Sequence, residues 1–425
     1  MLRPQSGARR RKIVFSVLLL AQVGCLPLLA GRVKLYDPQP VHSDEFGTAV
    51  AADAGVAVVG IPLADGPTDS GAILIFDSTA GPGWPASGPF KAPTPSPNER
   101  FGANVAYRDG DIFVSGAGQV YHLVRDPVLT GNWIHAAALL PPVASSTFGN
   151  DLAIDGDTLV VGDFTGYVTP TQPCGLAHVF HFEGGAFVHQ ATLGTASDCP
   201  SGPGGDAFGI SVAISGDTIA VGTLQGKVHL FHRVAGVWQH EAKIDPAPEA
   251  GDDLTEFGRA VAVDGERLLA GSGKLTTSPD PGNRAYIYER QSLGNWQRAA
   301  VLIADVATPI LFHGYSVALR GDRAIVGSTK SDFNAIGFPG NTGATYHFER
   351  QADGSWPQTR RDVGVDGAAF GGDLDFDGDR LWVGDRWATI NFNCCFGAAY
   401  TIDLGPVFTD GFEGGTTAGW SATVP

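Results

Sequence analysis

The residues that could do chemistry are few, and most of them are acids. The string Asp373-Leu374-Asp375-Phe376-Asp377-Gly378-Asp379 spaces its carboxylates two apart. The first half of a calcium loop does the same, because a hard cation of this size gathers oxygen ligands from alternating positions. The position where such a loop closes with a bidentate glutamate is Gly384. Asp373, Asp375 and Asp377 are therefore read first as strand and turn residues, with calcium kept open as the only cofactor. A second set is Asp65, Asp69, Asp163, Asp385, Arg386 and Trp387. Acids beside an arginine and an aromatic would suit a sugar or peptide ligand, the plain alternative being solvated loops without one. If Asp163 and Asp385 met at roughly 5 to 9.5 Å, they could act on a glycosidic bond. The pairs His178/His181 and His229/His232 are three apart; on a strand they point to opposite faces and cannot chelate together. No nucleophile elbow, phosphate loop, zinc-protease helix or dinucleotide fingerprint stands at a suitable junction. No catalytic residue is assigned.

The elements that must position these residues come from an internal repeat. Phe46-Gly-Thr-Ala-Val recurs as Phe101-Gly-Ala-Asn-Val, Phe148-Gly-Asn-Asp-Leu, Phe208-Gly-Ile-Ser-Val, Phe257-Gly-Arg-Ala-Val, His313-Gly-Tyr-Ser-Val and Phe370-Gly-Gly-Asp-Leu. Seven copies, 54 residues apart on average, follow from Phe46 to Phe370. Each phrase opens a hairpin, as in residues 211 to 222, where two β-branched runs flank Ser215-Gly216-Asp217. A third strand rich in alternating aromatics follows, such as Val228-His-Leu-Phe231. A fourth opens on Trp133, Phe187, Trp238 or Trp296, with Ala four residues later. Four strands repeated seven times predict an all-β fold: a seven-bladed β-propeller of four-stranded antiparallel blades. The last copy ends near Leu404 without a fourth strand, while Val33-Lys-Leu-Tyr-Asp37 precedes the first copy and matches the fourth-strand pattern of Ala242-Lys-Ile244. Residues 33 to 37 are expected to complete the seventh blade and close the ring.

The phrase Phe-Gly-x-x-Val-Ala-Ile-x-Gly-Asp-x-Ile-Ala-Val-Gly resembles the FG-GAP repeats of the integrin α-subunit propeller, in a bacterial secreted form, over about residues 33 to 404. The resemblance implies a protein-binding or adhesion module working through the loop-bearing face. It also implies calcium loops of the form Asp-x-Asp/Asn-x-Asp-Gly, which the short hairpin turns here do not have. Arg320-Gly321-Asp322 spells a tripeptide that integrins recognise as a ligand, but Gly321-Asp322 is the turn every copy has, and the structural reading is preferred. The rival functions are a carbohydrate-active or lyase-type propeller, with Asp163 and Asp385 as its carboxylates, and a structural surface protein.

The first 30 residues carry Arg9-Arg-Arg-Lys12, then apolar runs from Ile13 to Ala21 and Cys25 to Ala30. That composition predicts a secretory signal cut after Ala30, the runs being short for a span of roughly 20 apolar residues; an uncleaved anchor and a lipid on Cys25 are the alternatives. Cleavage would remove five positive charges and no acid, taking the net charge from −16 to −21. No basic cluster is left for nucleic acid. The expected protein is secreted or on the cell surface, with the periplasm as an alternative, a monomer without a membrane span, and its partner a protein or glycan. Residues 31 to 405 form the propeller. Residues 406 to 425 form a glycine-rich tail resembling the Asp-Gly-Phe-Glu-Gly-Gly ends of many secreted bacterial proteins. In the four-strand scheme Cys174 and Cys199 lie in loops on the same face, so a disulfide between them is expected. Cys394 and Cys395 are left open between a vicinal disulfide, other pairing and a soft metal.

Overall fold

The computed structural model describes residues 31–41, 43–65, 68–81, 83–129, 131–169, 172–194, 205–246, 256–272, 284–305, 311–330, 342–365, 369–389 and 396–405. The expected signal segment, the tail, Cys199, Cys394 and Cys395 lie outside them.

Seven four-stranded antiparallel sheets follow one another along the chain. Blade one is Val50–Asp53, Val56–Ile61, Ala72–Asp77 and Ala86–Phe90, from the channel outward. Blade two is Val105–Arg108, Asp111–Gly116, Gln119–Arg125 and Trp133–Leu139. Blade three is Leu152–Asp155, Thr158–Asp163, Leu176–Glu183 and Ala186–Leu193. Blade four is Ser211–Ser215, Thr218–Gly222, Val228–Val234 and Val237–Ile244. Blade five is Ala260–Asp264, Arg267–Gly271, Ala285–Ser292 and Asn295–Leu302, and blade six is Leu311–Arg320, Arg323–Lys330, Ala344–Glu349 and Gln358–Val363. Blade seven takes Leu374–Asp377, Arg380–Asp385 and Ala398–Asp403 from the end of the chain and Arg32–Leu35 from its beginning. The closing strand pairs antiparallel with the third, Arg32 opposite Ile402 and Leu35 opposite Ala399. The ring is thus joined as the repeat count requires.

The core lies between blades. Seven apolar clusters each join two neighbouring blades, so every seam of the ring has one. Strand alternation explains this: in blade four Ile219 and Val221 face blade three, while Ala220 between them faces blade five. With both faces buried, the second strands read as continuous apolar runs such as Ile219-Ala-Val221. The Ala of the fourth strands also has a structural reason. Ala137, Ala191, Ala242 and Ala300 are each the last in-register partner before a bulge shifts the outer strand, which adds local twist at the rim.

The repeated Phe-Gly phrase joins blades directly. Phe101, Phe208, Phe370 and Phe46 each bridge the glycine that opens the third strand of the preceding blade. Gly209, at φ +87°, has no room for a Cβ, which would sit 2.2 Å from the Leu176 carbonyl oxygen; only glycine takes that conformation without strain. In blade six His313 stands in the Phe place. It is fully buried with its ring edge-on to Tyr346 at 5.0 Å, and burial pushes its pKa down to about 4.

Candidate functional site

The innermost strands of all seven blades line a central channel of about 880 Å³. It has two ends. At one, each inner strand begins after its Phe-Gly phrase and each second strand finishes; at the other, the two strands meet in the Gly-Asp hairpin turn.

At the turn end, side chains of one blade bind the backbone of the next. Asp53 accepts from Asp109 N at 3.1 Å, Asp155 from Gly216 N at 2.7 Å, and the Ser215 hydroxyl from Gly265 N at 3.1 Å. Asp264 accepts from Gly321 N, and Asp377 from Gly55 N at 3.0 Å. Blade two has Arg108 in this place, with its guanidinium 3.6 Å from Asp155 and 3.9 Å from Asp53. Arg320-Gly321-Asp322 is part of this collar. Arg267 of blade five donates to the Gly321 carbonyl at 2.8 Å and pairs with Asp322 at 3.0 Å.

Asp373, Asp375 and Asp377 stand at alternating positions on the inner strand of blade seven, and their side chains reach the inner strand of blade one. Asp373 accepts from Val50 N at 2.7 Å, Asp375 from Ala52 N at 2.7 Å and Asp377 from Gly55 N. The spacing that resembled half a calcium loop matches the amide spacing of the neighbouring strand. Asp151 makes the same bond to Val212 N between blades three and four at 2.7 Å. Burial raises Asp151, Asp373 and Asp375 to about 7, because the channel wall removes water from carboxyls that backbone amides compensate only in part. Among the described residues no group of three His, Cys, Asp or Glu side chains is arranged to hold a metal ion.

The other acids singled out in the sequence fall in three blades. Asp163 and Asp385 do share a register, each closing the second strand of its blade, but they are only 1% and 0% exposed. Asp163 accepts from Ser145 at 2.5 Å and Thr147 at 2.6 Å, and His178 lies 3.8 Å away. Burial alone would raise its pKa; His178 and the two hydroxyls outweigh burial and hold it below the usual range. Asp385 accepts from Ala369 N at 3.2 Å and is raised to about 7 by burial. Both pin the segment leading into their own Phe-Gly phrase, a capping role within the blade. Asp65 lies in the loop between the second and third strands of blade one, bonded to Lys91 at 2.5 Å and to Ser70 at 2.6 Å. The Lys91 hydrogen bond, then that of Ser70, lowers its pKa. In the same loop Asp69 accepts from Arg100 N at 3.2 Å through its backbone carbonyl. The charges of Asp65 and Asp69 reach Asp44, which burial and these neighbours raise to about 6.

The histidine pairs also behave differently from their sequence spacing. His229 meets His240 on the next strand, ring nitrogens 3.2 Å apart, and His178 reaches Thr192, which in turn reaches His189. Cys174 is buried in the loop before the third strand of blade three.

Arg386 and Trp387 remain. Arg386 lines the channel at its Phe-Gly end and stacks on Trp387, guanidinium carbon to ring centroid 4.7 Å. The structure adds two residues that the sequence reading passed over. Arg259 and Tyr315 follow the glycine of the Phe-Gly phrase in blades five and six, line the same channel, and stack at 5.3 Å. Arg259 also pairs with Glu256 at 3.2 Å. Blade seven has Gly372 at the corresponding position. The signal was present in the repeat alignment: this column reads Thr48, Ala103, Asn150, Ile210, Arg259, Tyr315 and Gly372. Variation in one column of a conserved-looking phrase marks the mouth of the channel. All five acids lining the channel, Asp151, Asp155, Asp264, Asp373 and Asp375, are bonded to backbone amides.

The FG-GAP repeat family matches residues 189–227, from the outer strand of blade three through the hairpin of blade four to the residue before its third strand. No curated protein matches the chain. Among solved structures, the WD40 repeats of RRP9 align with a TM-score of 0.55 at 12% identity, covering 89% of this chain and 99% of that one. A chain of a mitotic checkpoint complex aligns with a TM-score of 0.54 at 11% identity, covering 95% and 98%. At such identities the likeness is one of fold.

Proposed function

We propose that this FG-GAP-type propeller is an exported binding or adhesion module that presents its Phe-Gly end, with the channel mouth at the centre, to a protein or glycan ligand. The observation that carries the reading is the contrast in how charges are used. The acids at the turn end are engaged with the neighbouring blade, whereas Arg259, Tyr315 and Arg386, the last stacked on Trp387, line the channel at its Phe-Gly end from three consecutive blades. Propellers host many chemistries, so the site and not the fold supports the proposal. The enzyme reading drew on Asp163 and Asp385, and their burial removes its geometric support. Export rests on residues 1–30, and the Cys174–Cys199 disulfide belongs with it, since such bonds persist in oxidising compartments.

The test is binding of the labelled protein to an array of glycans and matrix proteins, with calcium and with chelator. A saturable hit that Trp387→Ala weakens and chelator leaves unchanged is expected. A hit indifferent to every substitution on the Phe-Gly face, or no hit in either condition, would overturn the reading. N-terminal sequencing of protein from the culture supernatant, with residue 31 first, tests export.

A further inference from the structure

We propose that the Phe-Gly mouth of the channel is a subsite for an acidic saccharide, with Arg386 as the group that takes its carboxylate. This rests on the binding-module reading and names its ligand class. Arg386 is half-buried, lines the channel, and among the described residues has no hydrogen bond or ion pair, only the Trp387 ring beneath it. A guanidinium over an indole ring makes no hydrogen bond through that contact, and a carboxylate can meet its N–H edge with two parallel hydrogen bonds. Arg259 of blade five, stacked on Tyr315, is already paired with Glu256 at 3.2 Å, so the uncommitted charge of this mouth is that of Arg386.

The surroundings favour a sugar over an apolar anchor. Thr48 and Thr329 line the same opening, and Tyr315 brings a phenol to it. A hydroxyl-rich chain end would find donors and acceptors there and little apolar surface. Behind the mouth the whole channel encloses about 880 Å³. The chain as a whole carries a net charge of −16, so a mouth whose uncommitted charge is positive is a local reversal. Long-range repulsion of an anion by the rest of the surface is screened at physiological salt over ~8 Å, whereas contact at the mouth is not.

The experiment is calorimetric titration of the full-length protein with trigalacturonate, its methyl ester and a tetraglutamate peptide. The acid should bind, the ester should bind about tenfold more weakly or not at all, and the peptide should not compete. Arg386→Gln should lower affinity for the acid about tenfold or more, with Arg386→Lys intermediate, and all variants should melt as the parent does. Arg320→Gln, at the opposite mouth, should bind as the parent does. Equal binding of acid and ester, unchanged affinity in Arg386→Gln, stronger binding of tetraglutamate, or no binding of the acid would each overturn the proposal. A neutral glycan or protein hit that depends on Trp387 would do so while leaving the binding-module reading standing.

Discussion

The two ends of the channel are built from the same repeat and differ in which charged side chains they commit to the neighbouring blade. At the turn end, Asp53, Asp155, Ser215, Asp264 and Asp377 each reach across a seam to a backbone amide of the next blade. At the Phe-Gly end, the column after the glycine varies from Thr48 to Gly372, and Arg386 makes no polar bond among the described residues. A side chain that satisfies a partly buried amide contributes to stability and is unavailable for a ligand, because breaking the bond leaves the amide unpaired. The turn end therefore commits its acids to the seams, while the Phe-Gly end, itself tied across seams by its Phe-Gly bridges and by Asn150, Ser211 and Ser316, keeps Arg386 uncommitted.

The sharpest way to break this comparison is at the seam where the chain ends meet. Deleting residues 31–35 removes the outer strand of blade seven and Leu35 from the core cluster it shares with blade one. Cooperative unfolding should be lost or Tm should collapse, whereas deleting residues 406–425 should change Tm little; equal effects in thermal melts would sink the closure. Next in size is the proposed Cys174–Cys199 bond, which would close a loop of roughly 25 residues worth ~3 kcal/mol. Cys199→Ser should lower the denaturation midpoint accordingly, and mass spectrometry of the non-reduced protein should find the cross-linked peptide in the parent. Asp375→Ala leaves the Ala52 amide without its acceptor and should cost ~1–3 kcal/mol, while Asp375→Asn, which keeps an oxygen there, should cost less. If Ala and Asn are equally harmless, the inter-blade bonds do not hold the ring.

The same carboxyls set a pH dependence. Asp151, Asp373, Asp375 and Asp385 are raised to about 7 by burial, while in the unfolded chain they titrate near ~4. Between those values the folded state binds more protons, so their contribution is full below the lower value and is lost as pH rises through about 7. Tm should fall across about pH 5 to 7.5, the four carboxyls outweighing the opposite slope of buried His313, and Asp375→Asn should flatten that fall. A Tm that rises across the window would contradict the assignment. The smallest effect on stability is expected at the other end: Arg386→Gln should move the free energy of unfolding by less than ~0.5 kcal/mol. A large destabilisation would show that Arg386 holds the ring as the turn-end acids do.

Much of the architecture was legible because a repeat reports the same constraint seven times. The Phe-Gly phrase and the hairpin glycine gave the blade and its count, and the missing fourth strand after Leu404 pointed to residues 33 to 37; the strand formed is Arg32–Leu35. The candidate site was less legible. Asp163 and Asp385 were picked out for their shared register, which is real, yet register along a strand says nothing about whether a loop covers its end. The Asp373 string shows the same gap: carboxylates two apart can ring a cation or match the amides of a neighbouring strand, and chain spacing is alike in both. Arg259 and Tyr315 were hidden for the opposite reason, since each looks unremarkable until the blades are arranged around an axis.

The sequence by itself determined the all-β class, the sevenfold repeat and the joining of the two chain ends, because alternation, turn glycines and periodicity are local properties that recur along the chain. Only the tertiary structure decided which polar groups are occupied. That depends on which strand of the next blade lies alongside, a relation between residues such as Asp373 and Val50, which lie 323 positions apart. Closing the ring brings those strands together and, in doing so, commits the channel acids to the frame and turns Arg386 toward the opening.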